Sequence, residues 1–329
     1  MKILLTGATG FIGSTLAEEL AKSGHQVKAL IRNPKKLRWP IDKVNGIELV
    51  KGDITHPEGL EEAAKDVEII IHAAGMTKAL KHEDYYLANA KSCEFLLNAR
   101  DKKSFKQFIF FSTQAAIGPA NGGVPKKENE PANPVSRYGI TKLKGEEILI
   151  QSGVNYTIFR FPPVYGEKDT EFYPLFKSIR KGWKLILGTG LKKVNMIYVK
   201  DVVNGIQCAL GNEKAYRQIF HIHDGNAYNW FDINNAAEKA SGRKCRTLRI
   251  PMFSVYVVGT FNTLIEKIFR KPLLLNREKL REMKVENWLL DITKIRNELG
   301  FKPEYNIEEG FKNTSRWYVD NGWIKKMKS

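Results

Sequence analysis

Short apolar runs alternate with stretches of helical spacing through the first half of the chain. Lys2–Thr6, Val27–Ile31, Ile47–Lys51, Val67–His72, Phe108–Ser112 and Tyr156–Phe161 are rich in β-branched and aromatic residues and predict strands. Between them, Ser14–Lys22, Leu60–Lys65, Tyr85–Arg100 and Tyr138–Gln151 place apolar residues at helical intervals. The centres of the strand runs at Ile69–Ile71 and Phe108–Phe111 hold no polar position, which marks strands covered on both faces. Strands of that kind joined by helices predict a parallel sheet with right-handed crossovers, a doubly wound α/β fold. After about Phe161 the rhythm breaks, and prolines, glycines and basic residues become frequent. Strand-like pieces remain at Val194–Val199 and Ile219–His223, and helical ones at Asp201–Leu210 and Phe231–Ala240. The pattern predicts a main domain over 1–165 and a smaller substrate lobe over 166–329, interleaved with returns to the main sheet.

Composition narrows the class. With 329 residues, 43% hydrophobic and 17 Phe, 12 Tyr and 6 Trp, the chain has core enough to exclude disorder as its main state. Three cysteines without CxxC spacing argue against a zinc ribbon or disulfide framework and suit a reducing, cytoplasmic compartment. Only three apolar residues follow Met1-Lys2 before Thr6-Gly7, too few for a signal peptide. Charge is uneven: residues 1–150 hold 22 Lys+Arg against 18 Asp+Glu, net +4, whereas residues 151–329 hold 31 against 18, net +13. Such a balance suits either plain solubility or an anionic ligand or surface. Nucleic acid is not indicated, since no reading motif accompanies the lysines.

Gly7-Ala8-Thr9-Gly10-Phe11-Ile12-Gly13 lies between the first predicted strand and the first predicted helix. In a G-x-x-G-x-x-G turn, Gly7 allows the sharp reversal, Gly10 admits a pyrophosphate close to the backbone, and Gly13 lets helix and strand pack. The N–H groups opening the helix then face the phosphates, which predicts a dinucleotide site. The second strand ends Ile31-Arg32-Asn33-Pro34-Lys35-Lys36 with no carboxylate to take a ribose 2′-hydroxyl. Arg32, helped by Lys35 or Lys36, suits a 2′-phosphate, so NADP(H) is favoured over NAD(H). The alternative leaves Arg32 solvated and gives Asn33 to a free hydroxyl.

Tyr138 and Lys142 stand four residues apart and share a helix face. A free phenol has a pKa of roughly 10, and a neighbouring ammonium favours the phenolate and lowers it. Thr113 ends a predicted strand at the carboxyl edge of the sheet, where ligands bind in open α/β folds. Its hydroxyl can orient the oxygen that Tyr138 protonates or deprotonates.

With these motifs in place, the chain resembles the extended short-chain dehydrogenase/reductase family over almost its whole length. The N-terminal turn, with Gly7, Thr9, Gly10, Phe11, Ile12 and Gly13, matches its cofactor fingerprint. Gly52-Asp53-Ile54 matches the adenine-contacting segment, His72-Ala73-Ala74-Gly75 the motif flanking the cofactor, and Asn89 the asparagine of the following helix. Ser112-Thr113 through Gly118, then Tyr138 and Lys142, match the catalytic triad region, with Thr113 where serine is usual. Phe161-Pro162-Pro163-Val164-Tyr165-Gly166 resembles the segment near the nicotinamide, and Tyr198-Val199-Lys200-Asp201-Val202 a later signature. Asp291 to Pro303 resembles the family's C-terminal element. Asn195-Met196 stands where sugar-nucleotide epimerases often carry Arg-Asp, so a phosphate-binding arginine is in doubt. Leu187-Gly188-Thr189-Gly190 and Ile219–Asp224 are similar to the 3β-hydroxysteroid dehydrogenase-like branch. The resemblance implies a Rossmann-type fold, a homodimer and no metal. It implies a catalytic set of Thr113, Tyr138 and Lys142. It implies cofactor contacts from the fingerprint residues, Arg32, Asp53, Ile54, Ala73, Ala74, Gly75, Asn89, Ser112, Tyr138, Lys142, Phe161, Pro162 and Val164.

Three features of the remaining chain stay open. Apolar residues at 253, 257, 261, 264, 265 and 268, followed by Lys267, Arg270 and Lys271, form one helical stripe. It reads either as a helix packed on its own core or as an interfacial helix or lid, with peripheral membrane contact through 253–271. The uncharged stretch Ile250–Ile265 is 16 residues, short of the ~20 that span a bilayer. His221-x-His223-Asp224 could share a strand face, but no third ligand cluster accompanies it. Gly118–Arg137, with four prolines, is long for a structureless connection and predicts a flap near the site, on which Lys126 and Lys127 read as solvated.

Three functions compete. The first is an NAD(P)-dependent oxidoreductase interconverting hydroxyl and keto groups on a hydrophobic, sterol-like or β-keto-lipid substrate. The second is a nucleotide-sugar epimerase or dehydratase, attractive because the basic half suits a diphosphate. The third is a non-catalytic, redox-sensing NADP-binding protein, against which the intact Tyr138 and Lys142 argue.

Overall fold

The computed structural model describes residues 1–269, 273 and 275–325. Arg270 and Lys271, expected to follow the apolar stripe, lie outside the described residues, as do the side chains of Lys36, Leu264 and Lys267. The first six strands are β1 (Lys2–Thr6), β2 (Gln26–Ile31), β3 (Ile47–Lys51), β4 (Ile69–His72), β5 (Gln107–Thr113) and β6 (Tyr156–Phe161). Then come β7 (Val164–Tyr165), β8 (Trp183–Leu187), β9 (Lys193–Val194), β10 (Ile197–Tyr198), β11 (Gln218–His221), β12 (Arg246–Ile250) and β13 (Asn287–Trp288). Seven strands form one parallel sheet in the order β3-β2-β1-β4-β5-β6-β11. The sheet is that of a Rossmann-type α/β fold.

Alternation along the strands builds a core on each face. Ile3, Leu5, Ile69, Ile71, Ile109, Phe111, Phe159 and Phe161 face one side, under the helix Phe11–Lys22. Leu4, Ile70, Phe108, Phe110 and Ile158 face the other, under the helix Ser92–Ala99. A third cluster holds the second lobe together around Tyr165, Phe176, Tyr198, Phe311 and Tyr318. That lobe is built on three two-stranded parallel pairs, β10 with β7, β12 with β8 and β13 with β9. Strand β11 joins the edge of the main sheet against β6.

The structure departs from the sequence expectations at three places and decides a fourth that the sequence left open. The predicted strand Val194–Val199 is broken into β9 and β10, and Val199 opens the helix Val199–Ala209. Asn195 causes the break: its amide donates to Asn226 O (2.6 Å) and accepts from Leu290 N (2.7 Å). The helix expected over Tyr85–Arg100 is interrupted by a π-turn, Leu87–Lys91, at the point where Gly145 packs against the Asn89 carbonyl. Lys126 is buried rather than solvated, with its ammonium on Ile117 O (2.9 Å), Pro131 O (3.0 Å) and Asn133 Oδ1 (2.7 Å). Its backbone also ties the Gly118–Arg137 segment to Leu289 and Asp291. Of the two readings open for the apolar stripe, burial on the protein's own core does not hold along the helix Met252–Phe269: Phe253, Val257, Phe261 and Ile268 are exposed and Ile265 is half-buried, while Val255 and Glu266 face the protein.

Candidate active site

The predicted residues follow the carboxyl ends of β1 to β6, apart from Asn89, Tyr138 and Lys142, which lie on helices. The order β2-β1-β4 puts the switch point of the sheet at β1 and β4, where a crevice opens in such folds. Gly7 turns there with φ +78°, and a Cβ on it would stand 2.7 Å from Ala74 N. A Cβ on Gly13 would stand 2.2 Å from the Gly7 carbonyl oxygen, so strand and helix meet at a distance only glycine permits. Gly10 N donates to Gly7 O (2.9 Å) and the helix Phe11–Lys22 starts with no acidic residue in its first turn. Thr9, Phe11 and Ile12 are half-buried beside it.

A buried chain of hydrogen bonds sets the other wall. Ala74 N donates to Thr6 Oγ1 (3.1 Å), which bonds His72 Nδ1 (2.7 Å), and His72 Nε2 bonds Ser92 Oγ (2.9 Å). The Ser92 hydroxyl donates to Ala88 O (2.9 Å), so the His72 proton belongs on Nε2 and Thr6 donates to Nδ1. Burial, aided by the charge of Lys142, pushes His72 well below its ordinary range, which keeps this ring neutral. Ala73 and Ala74 are thereby fixed as half-buried backbone, and Gly75 is exposed.

Lys142 reaches the same place from the helix Arg137–Gln151. It is 3% exposed, and its ammonium lies 4.2 Å from the centre of the Phe110 ring. A Cβ on Gly75 would stand 3.4 Å from Lys142 Nζ and 3.0 Å from Asn89 Oδ1, so the glycine leaves open a cradle in front of both. Burial pulls the Lys142 pKa down to about 8, against the raising charges of Cys93 and Glu146. Asn89 spends its amide within the chain, accepting from Met76 N (2.7 Å) and donating to Met76 O (3.0 Å) and Thr141 Oγ1 (3.2 Å).

Tyr138 stands one turn before Lys142. Burial, joined by the charges of Glu282 and Glu171, pushes its phenol well above the ordinary range, with a hydrogen bond from Thr113 working the other way. The net direction is upward, opposite to the lowering expected beside Lys142. Thr113 caps the short helix Gln114–Ile117 by accepting from Ala115 N (3.2 Å), which holds its hydroxyl at the strand end. Ser112 does not offer its hydroxyl to the crevice. It donates to Glu146, which is locked in a buried ion pair with Arg160 (Nη2–Oε2 2.6 Å). Phe161 and Pro162 are buried and Val164 half-buried just beyond.

At the end of β2, Arg32 is exposed. Asn33 is engaged locally, its Oδ1 accepting from Lys35 N (3.0 Å). Asp53 accepts from Thr55 N (2.9 Å) and Thr55 Oγ1 (2.8 Å). Partial burial works to raise the Asp53 pKa, but these bonds and the Arg32 charge outweigh it and hold the carboxyl below its ordinary range. Ile54 is half-buried on the sheet core. The histidines at 221 and 223 are buried and bonded to backbone, His221 Nδ1 to Lys126 O (3.1 Å) and His223 Nε2 to Leu290 O (2.9 Å).

Sequence reasoning missed two carboxylates. Glu282 accepts from Ser136 Oγ (2.9 Å), the cap of the Tyr138 helix, and Glu278 accepts from Arg137 N (2.8 Å). They come from the helix Arg277–Lys284, more than 140 residues downstream, and no local spacing signals them.

A family model described as the NAD dependent epimerase/dehydratase family matches residues 3–223. The chain is similar to the ceramide reductase of Caulobacter vibrioides, 26% identical over 327 residues that cover 98% of this chain and 96% of that protein. It is also similar to the 3-beta-hydroxysteroid dehydrogenase of Mycolicibacterium neoaurum, at 24% over 345 residues, 97% of this chain and 92% of that one. Among solved structures, the UDP-glucose 4-epimerase of Thermotoga maritima with UDP-glucose shares the fold, with a TM-score of 0.80 at 24% identity, covering 98% and 99% of the two chains.

Proposed function

Since the chain belongs to the NAD-dependent epimerase/dehydratase family, we propose that it interconverts hydroxyl and keto groups on a hydrophobic substrate of the β-keto-lipid or sterol class, with NADP(H) preferred over NAD(H). A nicotinamide dinucleotide, when bound, supplies or accepts the hydride. The residues present fit such a group: the glycine turn and an acid-free helix start suit a pyrophosphate, and the cradle at Gly75 stands before the Lys142 ammonium. Gly7, Gly10, Gly13 and the backbone at Thr9, Phe11 and Ile12 would hold the phosphates. Asp53 and Ile54 would hold the adenosine half, and Arg32 a 2′-phosphate. Ala73, Ala74, Gly75, Phe161, Pro162 and Val164 would flank the nicotinamide half. Asn89 and Ser112 serve it indirectly, by holding Met76 and the Glu146–Arg160 pair.

The acid–base work falls to the chain. A phenol held above its ordinary range is fully protonated at neutral pH, so Tyr138 is suited to donate to a substrate oxygen that becomes an alcohol. The Thr113 hydroxyl orients that oxygen. Lys142, still largely protonated at pH 7, stabilises the phenolate that donation leaves.

The observation that carries the hydrophobic substrate is what stands before Tyr198. Asn195 spends its amide on Asn226 and Leu290, and Met196 is fully buried in the lobe core, so neither position offers a cation to a sugar diphosphate. The full-length similarity to a ceramide reductase supports the same reading. The epimerase reading rests on the 31 basic residues against 18 acidic in residues 151–329. The test offers a long-chain β-keto lipid, a 3-ketosteroid and UDP-galactose in parallel, with NADPH or NADH. Lipid- or steroid-dependent NADPH oxidation is expected, falling by about 10²–10⁴-fold in Tyr138→Phe while dinucleotide binding persists. Conversion of UDP-galactose to UDP-glucose with no lipid turnover overturns the proposal.

A further inference from the structure

The exposed stripe and the two half-buried carboxylates belong to a pair of packed helices, Met252–Phe269 and Arg277–Lys284. Its first helix, Met252–Phe269, shows solvent an almost wholly apolar face: Phe253 is 77% exposed, Phe261 61%, Ile268 73% and Phe269 67%, with Val257 and Val258 about half exposed between them. Its inner face packs on the second helix, where Leu280 fills the space a side chain at Gly259 would need. Asn262 Nδ2 to Leu275 O (2.8 Å), Arg277 N to Thr263 Oγ1 (3.1 Å) and Asn276 Nδ2 to Glu266 Oε1 (3.0 Å) fasten the pair. An apolar face of this size on a fastened helix needs a partner.

Charge identifies the partner's chemistry. Residues 246–284 hold nine Lys and Arg against three Glu. All three carboxylates are engaged by protein donors: Glu266 by Leu273 N and Asn276, Glu278 by Arg137 N and by Arg281 on its own helix (3.1 Å), and Glu282 by Ser136 and by Lys279 (3.0 Å). The three carboxylates are thus already partnered, while Arg246 and Arg249 are exposed on β12 just before the helix and Lys284 lies over the Tyr256 ring. Apolar residues flanked by the exposed Arg246, Arg249 and Lys284 suit a lipid surface bearing anionic headgroups. A second copy is the poorer fit, because a two-fold contact would set the same cationic surface against itself. No helix among the described residues is long and apolar enough to cross a membrane. Eighteen residues, about 27 Å long, would instead lie in the plane of the interface.

We propose that the helix pair Met252–Phe269 and Arg277–Lys284 is a membrane-docking element: Phe253, Val257, Phe261 and Ile268 enter the headgroup–acyl boundary of an anionic bilayer. Because Glu278 and Glu282 fasten the second of these helices to the start of the Tyr138 helix, docking holds the catalytic crevice beside the lipid. The geometry is independent of the substrate assigned above, and the test reads binding without turnover. The full chain is floated with vesicles of phosphatidylcholine containing about 30% phosphatidylglycerol, and with phosphatidylcholine alone. Capture by the anionic vesicles is expected, with a large fall when salt is raised from about 0.1 to about 0.5 M. Phe253→Ser with Phe261→Ser, both on the exposed face, is expected to lower the partition coefficient on the order of 100-fold. Absence of capture, capture indifferent to lipid charge and salt, or equal capture of a folded double variant overturns the proposal. So does a wild-type dimer that the double substitution converts to monomer, with no vesicle capture in either form. The salt and lipid arms use the wild-type chain and decide the matter even if the variant fails to fold.

Discussion

Lys142→Met should make the protein more stable and inactive at once. In the folded chain the ammonium is 3% exposed and its pKa falls from 10.5 to about 8, burial being the main cause. At roughly 1.4 kcal/mol per unit, keeping that charge folded costs about 3 kcal/mol at neutral pH. Its contact with the Phe110 ring returns about 1 kcal/mol, part of which a methionine sulfur on the same ring replaces. The variant should therefore gain about 2 kcal/mol at pH 7, a rise of roughly 3–5 °C in Tm for a chain of this size. The sign fixes the pH window. The folded pKa lies below the unfolded one, so the cost is complete below about pH 8 and is relieved as pH climbs through 10.5, above which both states have lost the proton. Scanning calorimetry of both proteins at pH 7, 8.5 and 10 should show the variant's advantage shrinking with pH. A variant less stable than wild type at pH 7, or an advantage that does not change with pH, refutes the claim that burial holds the lysine down.

Glu282→Gln keeps the acceptor for Ser136 but removes a charge that raises the Tyr138 phenol. Alcohol oxidation, which needs the phenolate, should then begin at lower pH than in wild type, with the temperature of unfolding little changed; an unmoved pH profile removes Glu282 from the account. Arg32→Ala should raise KM for NADPH by about 10–100-fold, the worth of a charged hydrogen bond, while leaving NADH within a few-fold. Equal effects on both dinucleotides, measured by initial rates, would assign Arg32 to the surface and remove the NADP(H) preference.

Much of this protein is written in local spacing. Unbroken apolar runs placed Ile69–Ile71 and Phe108–Phe111 in a buried parallel sheet, because a strand sends successive side chains to opposite faces and here both faces had to be apolar. The glycine turn and the Tyr138–Lys142 pair were legible for the same reason, since each depends on backbone geometry within a few residues. What lay beyond local spacing was the direction in which side chains face. The period of 3.6 found the stripe from Phe253 to Ile268 but could not say whether it meets core or solvent. That depends on Leu280 occupying the opposite side. The charge of Lys126 predicted solvent, yet the fold wraps three acceptors around its ammonium. A neighbouring lysine was expected to lower the Tyr138 phenol, but burial and Glu282, 144 positions away, decide it. Periodicity is a property of neighbours in the chain and survives without a fold. Burial and field are sums over neighbours in space, and those exist only once the chain has closed.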